Sequence, residues 1–298
     1  MTQERTPERQ SDAARTVLAP VRWRARAEAH QHRVDQWLAP HLERRRRGIA
    51  HPVEDFLFTY YNHRPAQLRS WHPGAGVVLA GVSGFGRHYL DTDQGATVDV
   101  AGLLERHRPT VVWTERLLAN TAGRPAHLGC FGLHEWAMVY RSPQVRHSAW
   151  PLRLPDDQVA AVVEERGVRC SHFDAFRFFT APARPLNTVQ LTRELQPELE
   201  QPGCLHANMD LYKWAYRLSP LVSSELVADC FALARQIRLM DMRASPYDLS
   251  GLGHQPIRIE TVEGRAEYAA AQREFADQAR PLRQRLLTAC RALLAEGG

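Results

Sequence analysis

Lysine is nearly absent from this sequence of 298 residues. Lys213 is the single lysine, so that 38 Lys and Arg minus one leaves 37 arginines. Asn and Ile are also scarce, with four of each, and all three scarce types have AT-rich codons. Arg can replace Lys at most exposed sites, but not where a compact ammonium, a titratable amine or a narrow space is needed. Lys213 is therefore either a functional exception or a chance survivor on a solvated face.

Long apolar runs and paired cysteines are absent as well. No run approaches the roughly 20 apolar residues of a membrane span, so we expect no membrane association. The polar N-terminus lacks the apolar core of a secretion signal, which predicts a disordered leader over residues 1–17 and one domain over residues 18–298. The five cysteines include no CxxC pair, which favours free thiols in a reducing cytoplasm over a structural zinc site.

Positive charge is in moderate excess. The net charge of +5 and the isoelectric point near 9.1 permit a polyanionic partner such as DNA. Enrichment in arginine through codon usage produces the same numbers without any such partner. Charge alone therefore does not select a function.

Helical periodicity dominates the chain and predicts a mainly α fold, a single helical domain with a small β element. Pro40 is expected to break or kink the first helix, and Gly48 is expected to cap its C-terminus. Residues 257–264 (IRIETVEG) are the best strand candidate, and residues 74–88 indicate irregular strand and loop. The predicted helices cover residues 21–47, 51–65, 111–121, 131–141, a segment ending near 167, 206–218, 223–243 and 264–295.

One predicted helix carries an unusual polar face. His206, Asp210, Lys213 and Arg217 recur at helical spacing and share that face, while Leu211, Trp214 and Leu218 point to the core. A histidine, an aspartate and a lysine beside aromatic residues could form the wall of a pocket for a flat polar ligand. A solvated face held by salt bridges explains the same pattern.

A second segment, HFDAFRFF, sets a carboxylate among phenylalanines. Phe173 and Phe176 flank Asp174, whose pKa we expect to be shifted by desolvation, or which pairs with Arg177 three residues on. In the segment HEWAMVYR, Glu135 is a further candidate for acid–base chemistry. Both segments mix ionisable and aromatic residues, as ligand pockets do.

Four long segments carry a resemblance to a known family. HPVEDFLFTYYNHRPAQLRSWHPG, CFGLHEWAMVYR, SHFDAFRFFTAPARPLN and CLHANMDLYKWAYRLSPLVSSELVADCFALAR resemble actinobacterial proteins labelled 3-methyladenine DNA glycosylase, over about residues 20–290. The helix-hairpin-helix pattern of other glycosylases is missing, since Pro256 and a β-like run follow LSGLGHQP. The resemblance implies an N-glycosidase that removes an alkylated or modified purine, in base-excision repair of DNA or from a free nucleoside or nucleotide.

That chemistry needs a carboxylate to stabilise the oxocarbenium-like sugar or to activate water, and aromatic faces to hold the extruded base. Lys213 could contact phosphate or act as an amine nucleophile. No cofactor and no metal is required. The candidate catalytic residues are Asp174, Asp210, Lys213 and Glu135, and the candidate substrate-binding residues are His172, Phe173, Phe176, His206, Asn208, Trp136, Tyr212 and Arg177.

Two other classes of function fit parts of the sequence. His172 and Asp174 have the H-x-D spacing of a two-histidine, one-carboxylate metal site, with His206 or His254 as the third ligand, which would make the protein a metal-dependent small-molecule enzyme. A nucleic-acid or nucleotide binder without catalysis is the other alternative. A duplex binder needs a contiguous basic face around its pocket.

Overall fold

The computed structural model describes residues 16–142 and 150–296. Helices dominate this part of the chain, which confirms the mainly α prediction. Residues 1–15 of the predicted leader lie outside the described residues. Thr16 and Val17, also assigned to the leader, instead begin a β-strand, because their backbone groups pair with another segment of the chain.

Eleven α-helices lie within the described residues. The longest are central to the fold: α9 packs against α10 and α11, and α11 also packs against α4. The helices are α1 (Pro20–Arg46), α2 (Phe56–Thr59), α3 (Pro65–Arg69), α4 (Val100–Ala122), α5 (Leu133–Ala137), α6 (Asp156–Arg166), α7 (Phe173–Phe176), α8 (Gln196–Leu199), α9 (Leu205–Leu218), α10 (Ser224–Ala244) and α11 (Val262–Glu296).

The β element is a four-stranded sheet in the N-terminal third of the chain. Its strands are β1 (Thr16–Leu18), β2 (Val77–Leu79), β3 (Tyr89–Thr92) and β4 (Gly95–Val98). Their order is β1-β2-β4-β3, with β1 parallel to β2 and the other pairs antiparallel. Gly95 has a φ of 134° and lies against the Leu79 carbonyl, so a side chain at this position would collide with the neighbouring strand.

The predicted strand at residues 257–264 is wrong. The chain turns there, and α11 already begins at Val262. Ile257 and Ile259 are both buried, which reproduces the alternation of a strand. The amide of Ile257 donates to the Arg243 carbonyl over 2.8 Å, and Thr261 closes a turn onto Arg258. The alternation therefore comes from two apolar anchors of a loop that packs on α10.

The first helix continues through Pro40, so of the two predicted outcomes, a break or a kink, the break is wrong. A proline inside a helix removes one hydrogen bond, and buried Leu38 and His41 hold the chain on both sides of it. The predicted cap is confirmed: Gly48 has a φ of 65°, its amide donates to Arg45, and the Ile49 amide donates to Arg44. These two bonds form a Schellman ending.

Boundaries of other helices also differ from the predictions. The helix predicted at 111–121 is the end of a longer one that starts at Val100, where the Asp99 carboxylate accepts from the Gly102 amide. Residues 131–141 contain only the five-residue α5, and residues 51–65 contain only α2 before α3 begins at Pro65. The helix predicted at 223–243 is confirmed as α10, capped by Ser223, with its predicted apolar stripe buried.

Candidate functional site

Helix α9 is buried on almost every side. Twelve of its 14 residues are buried, and its neighbours α10 and α11 cover it. His206, Asp210 and Lys213 therefore lie inside the protein, whereas Arg217 is exposed. The alternative of a solvated salt-bridged face is wrong for these three residues. Charges at such positions need partners from other segments, because burying an unpaired charge is costly.

Lys213 lies between two aspartates. Its Nζ is 2.6 Å from Asp174 Oδ2 and 3.1 Å from Asp210 Oδ2, and it lies 4.6 Å from the centre of the Trp214 ring. Burial favours the neutral amine, but the two carboxylates outweigh it and raise the pKa of Lys213. The ammonium is thus charged at neutral pH and committed to both aspartates. Its surroundings suit a compact cation rather than a free amine nucleophile.

Asp210 is the inner end of this arrangement. The Tyr61 hydroxyl donates to Asp210 Oδ1 over 2.5 Å, and His172 Nε2 lies 3.3 Å from Asp210 Oδ2. Burial opposes ionisation, yet Lys213 and His172 outweigh it and hold the pKa of Asp210 well below its usual range. These contacts occupy the carboxylate fully. Asp210 therefore positions Lys213 and His172 and is shielded from solvent.

His172 is the N-cap residue of α7 and links two acids. Its Nδ1 accepts from the Ala175 amide over 3.2 Å, so the ring carries its proton on Nε2. That nitrogen faces both Asp210 and Glu200, each at 3.3 Å. We call Lys213, Asp174, Asp210, His172 and Glu200 the lysine network.

Asp174 is the outer end of the lysine network and the part nearest to solvent. Arg193 donates to its Oδ1 over 2.9 Å and Arg177 lies 3.5 Å away, with both arginine side chains about half exposed. Burial raises the pKa of Asp174, but Lys213 outweighs this effect, and the net result is a lowered pKa. Asp174 is consequently an ionised, buried carboxylate whose arginine partners reach solvent. Its pairing with Arg177 was one of the two predicted arrangements.

A small cleft opens beside Asp174. Its volume is about 20 Å³, which is room for about one water molecule. Burial, followed by the charges of Asp210 and Asp174, raises the pKa of Tyr60 to about 12, so its hydroxyl remains a donor. The cleft is lined by Phe56, Tyr60, Glu135, Met138, Asp174, Ala175, Phe178, His206 and Arg238.

Glu135 reaches this cleft from α5. Gly132, with a φ of 72°, precedes that helix and lies against the Tyr268 ring, where little space remains for a side chain. Glu135 accepts from Arg238 over 2.8 Å, and the Arg238 guanidinium lies 3.7 Å from the centre of the Phe56 ring. The structure thus brings three predicted residues, Glu135, Asp174 and His206, to one cleft.

Other predicted residues lie elsewhere. Trp136 donates to the Ala244 carbonyl over 2.9 Å inside the core, and Asn208 binds Pro202 and Arg283. Tyr212 packs on His63 and Phe231, and Phe176 packs on Phe179. Phe173 lies beneath Arg193 at the rim of Asp174. Side chains that were predicted to bind substrate therefore divide between the cleft and the core.

The predicted metal ligands do not come together among residues 16–142 and 150–296. His172 faces Asp210 and Glu200, whereas Asp174 faces Lys213 and Arg193. The ring of His254 lies near His51. A different group converges in this part of the chain: His134, His206 and Asp241, all buried. We call these three residues the histidine triad.

Sequence reasoning missed Asp241 and Arg238, which lie on α10. The sequence carried a signal for both residues. Asp241 follows the buried Ile237 by four positions, and Arg238 follows the buried Ala234 by four positions. Charged residues on the buried stripe of a helix indicate a buried polar cluster. The aromatic residues Phe56, Tyr60 and Phe178 were also missed as cleft walls.

None of the helices in the described residues has the length and apolarity to cross a membrane. Comparison with models of protein families finds no match for the chain. Searches of curated proteins and of solved structures also find no match.

Proposed function

We propose that the protein hydrolyses the N-glycosidic bond of a modified purine, with the Asp174 cleft as its active site. The observation that supports this proposal is an ionised carboxylate at the edge of a cleft with aromatic walls. Phe56, Tyr60 and Phe178 offer faces on which a base could stack, and Asp174 offers the negative charge that an oxocarbenium-like sugar requires.

The chemistry assigned to each residue follows from its contacts. Asp174 stabilises the positive sugar and orients a water molecule for attack, while Lys213 and Arg193 keep its carboxylate ionised. Glu135 lines the same space but is held by Arg238, which suits it to orienting the base or the water. An alkylated purine already carries positive charge, so its departure needs no obligatory general acid.

A purine does not fit into about 20 Å³, so substrate binding requires the cleft to widen. Two of its walls belong to α2 and α7, which are helices of four residues each. Such short helices make few internal hydrogen bonds and can move as units without disrupting a longer helix. In this proposal, entry of the base separates Tyr60 from Phe178.

Exposed arginines next to Asp174 favour a substrate that carries phosphate. Arg177 and Arg193 contact Asp174 from the solvent side, and exposed Arg184 donates to the Arg177 carbonyl. A guanidinium group can donate two parallel hydrogen bonds to the oxygens of one phosphate. A phosphodiester of DNA and the phosphate of a free nucleotide offer the same chemistry.

The test is release of 3-methyladenine, measured by chromatography, from dimethyl-sulfate-treated DNA and from 3-methyl-deoxyadenosine monophosphate. We expect Asp174→Asn to slow release about 100-fold or more, in the range of positioned acid–base groups. Asp157→Asn is the matched control, because Asp157 is exposed on α6. Activity on DNA alone that falls steeply with salt would identify the phosphodiester as the partner. Folded protein without release from either substrate contradicts the proposal.

A further inference from the structure

Three buried ligand groups meet next to the cleft without satisfying one another. His134 from α5, His206 from α9 and Asp241 from α10 are 2%, 5% and 1% exposed. One ligand atom of each lies within 4.8 Å of the others. Ligand atoms around a tetrahedral ion with bonds of about 2.1 Å lie roughly 3.4 Å apart. A small rotation of the side chains therefore brings the three ligand atoms to the spacing that an ion requires.

The contacts inside the histidine triad leave hydrogen-bonding capacity unused. His134 Nε2 and Asp241 Oδ1 are 3.0 Å apart. Nevertheless, neither this nitrogen nor either Asp241 oxygen has a hydrogen-bond partner among the described residues. Two buried polar groups that lie close but do not meet at hydrogen-bonding angles leave their lone pairs without a donor, which is costly. A cation between them removes that cost.

Surrounding groups orient the triad in the way metal sites do. The Nδ1 of His134 lies 3.6 Å from Cys130 Sγ, and this contact turns Nε2 toward Asp241. The His206 ring lies edge-on to the His134 ring, with 4.4 Å between their centres.

The space available also suits a bare ion. A cavity of about 10 Å³, lined by His134, His206 and three cysteines, adjoins the triad. This volume is too small for an organic ligand and at the lower limit for a water molecule. Arg238 lies 3.5 Å from Asp241, but its charge is compensated by Glu135 at 2.8 Å. A divalent cation is therefore not excluded by an unpaired positive charge.

We propose that His134, His206 and Asp241 bind one divalent transition-metal ion. Two imidazoles and one carboxylate are the ligand set of mononuclear zinc and iron(II) sites, with further coordination positions open. His206 belongs to the triad and also lines the Asp174 cleft, so the ion lies beside the proposed active site. The inference goes beyond the proposed hydrolysis, which invokes no metal, and stands or fails without it.

The test uses Co²⁺ and Zn²⁺ on the full-length protein after dialysis against a chelator. We expect one equivalent of Co²⁺ to produce a saturable visible absorption band, and one equivalent of Zn²⁺ to displace it. Asp241→Asn and His206→Gln should weaken Co²⁺ binding by at least about 100-fold, because each removes a ligand. Metal binding is measured directly by absorption and requires no activity assay.

The matched control is His30→Gln, since His30 is another buried histidine, whose Nε2 contacts the Leu68 carbonyl over 3.0 Å. Its Co²⁺ titration should match that of the wild type. Folding of each variant is checked by circular dichroism. If His206→Gln fails to fold, the wild-type titration decides: folded protein that takes up no Co²⁺ or Zn²⁺ overturns the proposal. Unchanged affinity in folded Asp241→Asn overturns it equally.

Discussion

The lysine network and the histidine triad are neighbours inside the protein, since the His206 ring lies close to both His172 and His134, but they differ in how their charges are compensated. Each carboxylate of the lysine network meets a cation or a hydrogen-bond donor within 3.3 Å. Asp241 lies 3.0 Å from His134 Nε2, but both of its oxygens lack a hydrogen-bond partner among the described residues. The first cluster is hydrogen-bonded throughout, whereas the second leaves hydrogen-bonding capacity unused.

The two clusters also differ in the group that faces their carboxylates. Lys213 carries a raised pKa between two aspartates and stays protonated at neutral pH. In the histidine triad the group that faces Asp241 is the imidazole of His134, and an imidazole can bind a metal ion whereas an ammonium cannot. The lysine network thus responds to substitution through uncompensated charge, and the histidine triad can also respond through metal binding.

The largest effect is expected from Lys213→Ala. It leaves Asp174 and Asp210 buried without their shared cation, and breaking a buried ion pair costs about 3–5 kcal/mol. Urea unfolding of the two proteins measures this loss of free energy. Lys213→Arg should cost less, about 1–3 kcal/mol, because the charge remains but the larger guanidinium crowds the space above Trp214.

Arg69→Ala is the control for that comparison, since Arg69 forms an ion pair with Asp35 on the surface. Its urea midpoint should match that of the wild type. If Lys213→Ala also unfolds like the wild type, the lysine network contributes nothing to stability and Lys213 is a survivor of codon bias.

The next effect is a change in acid sensitivity in Asp174→Asn. The folded pKa of Asp174 is lowered, so its ionised form stabilises the fold above the unfolded pKa of about 3.9. This stabilisation is lost as the pH falls through that value toward the folded pKa. Urea midpoints between neutral and acid pH should therefore converge for the wild type and Asp174→Asn. Asp157→Asn should follow the wild type, and parallel curves for Asp174→Asn would contradict the assignment.

The smallest effect is expected from Asp241→Asn in the presence of EDTA. His134 can become neutral when its carboxylate is removed, and Arg238 keeps Glu135 as its partner. We expect the free energy of unfolding to change by about 1 kcal/mol or less, as at sites without a complete ion pair. A loss of 3–5 kcal/mol would show instead that the triad is compensated in the same way as the lysine network, and the distinction between them would disappear.

Periodicity predicted the long helices because their apolar stripes are one-sided. The stripe of α10 from Leu226 to Met240 needs no knowledge of its neighbours. Strands of three or four residues are too short for such a pattern, and the two loop anchors Ile257 and Ile259 produced a stronger β signal than any true strand. Local alternation does not distinguish a paired strand from an anchored loop.

The candidate site was predictable in part. Asp174, Asp210 and Lys213 were identified because charged residues occur there among aromatics. Desolvation of Asp174 was expected from its aromatic neighbours. The burial of Asp210 and Lys213 could not be predicted, because it depends on partners far away in sequence, such as Tyr61, which is 149 residues from Asp210. The histidine triad escaped notice for the same reason, since its three ligands come from separate helices. Whether a polar helical face is solvated depends on tertiary packing.

Strand β1 has a consequence for the colloidal behaviour of the protein. Thr16–Leu18 covers one edge of β2, whose residues Val77, Val78 and Leu79 are all apolar. A chain shortened to begin at Pro20 would present that apolar edge, with unpaired amides and carbonyls, to other molecules. Exposed apolar edges recruit strands from neighbouring chains. These three residues, of which Leu18 also packs with Trp71 and Leu79, thus act as a cover against intermolecular sheet growth.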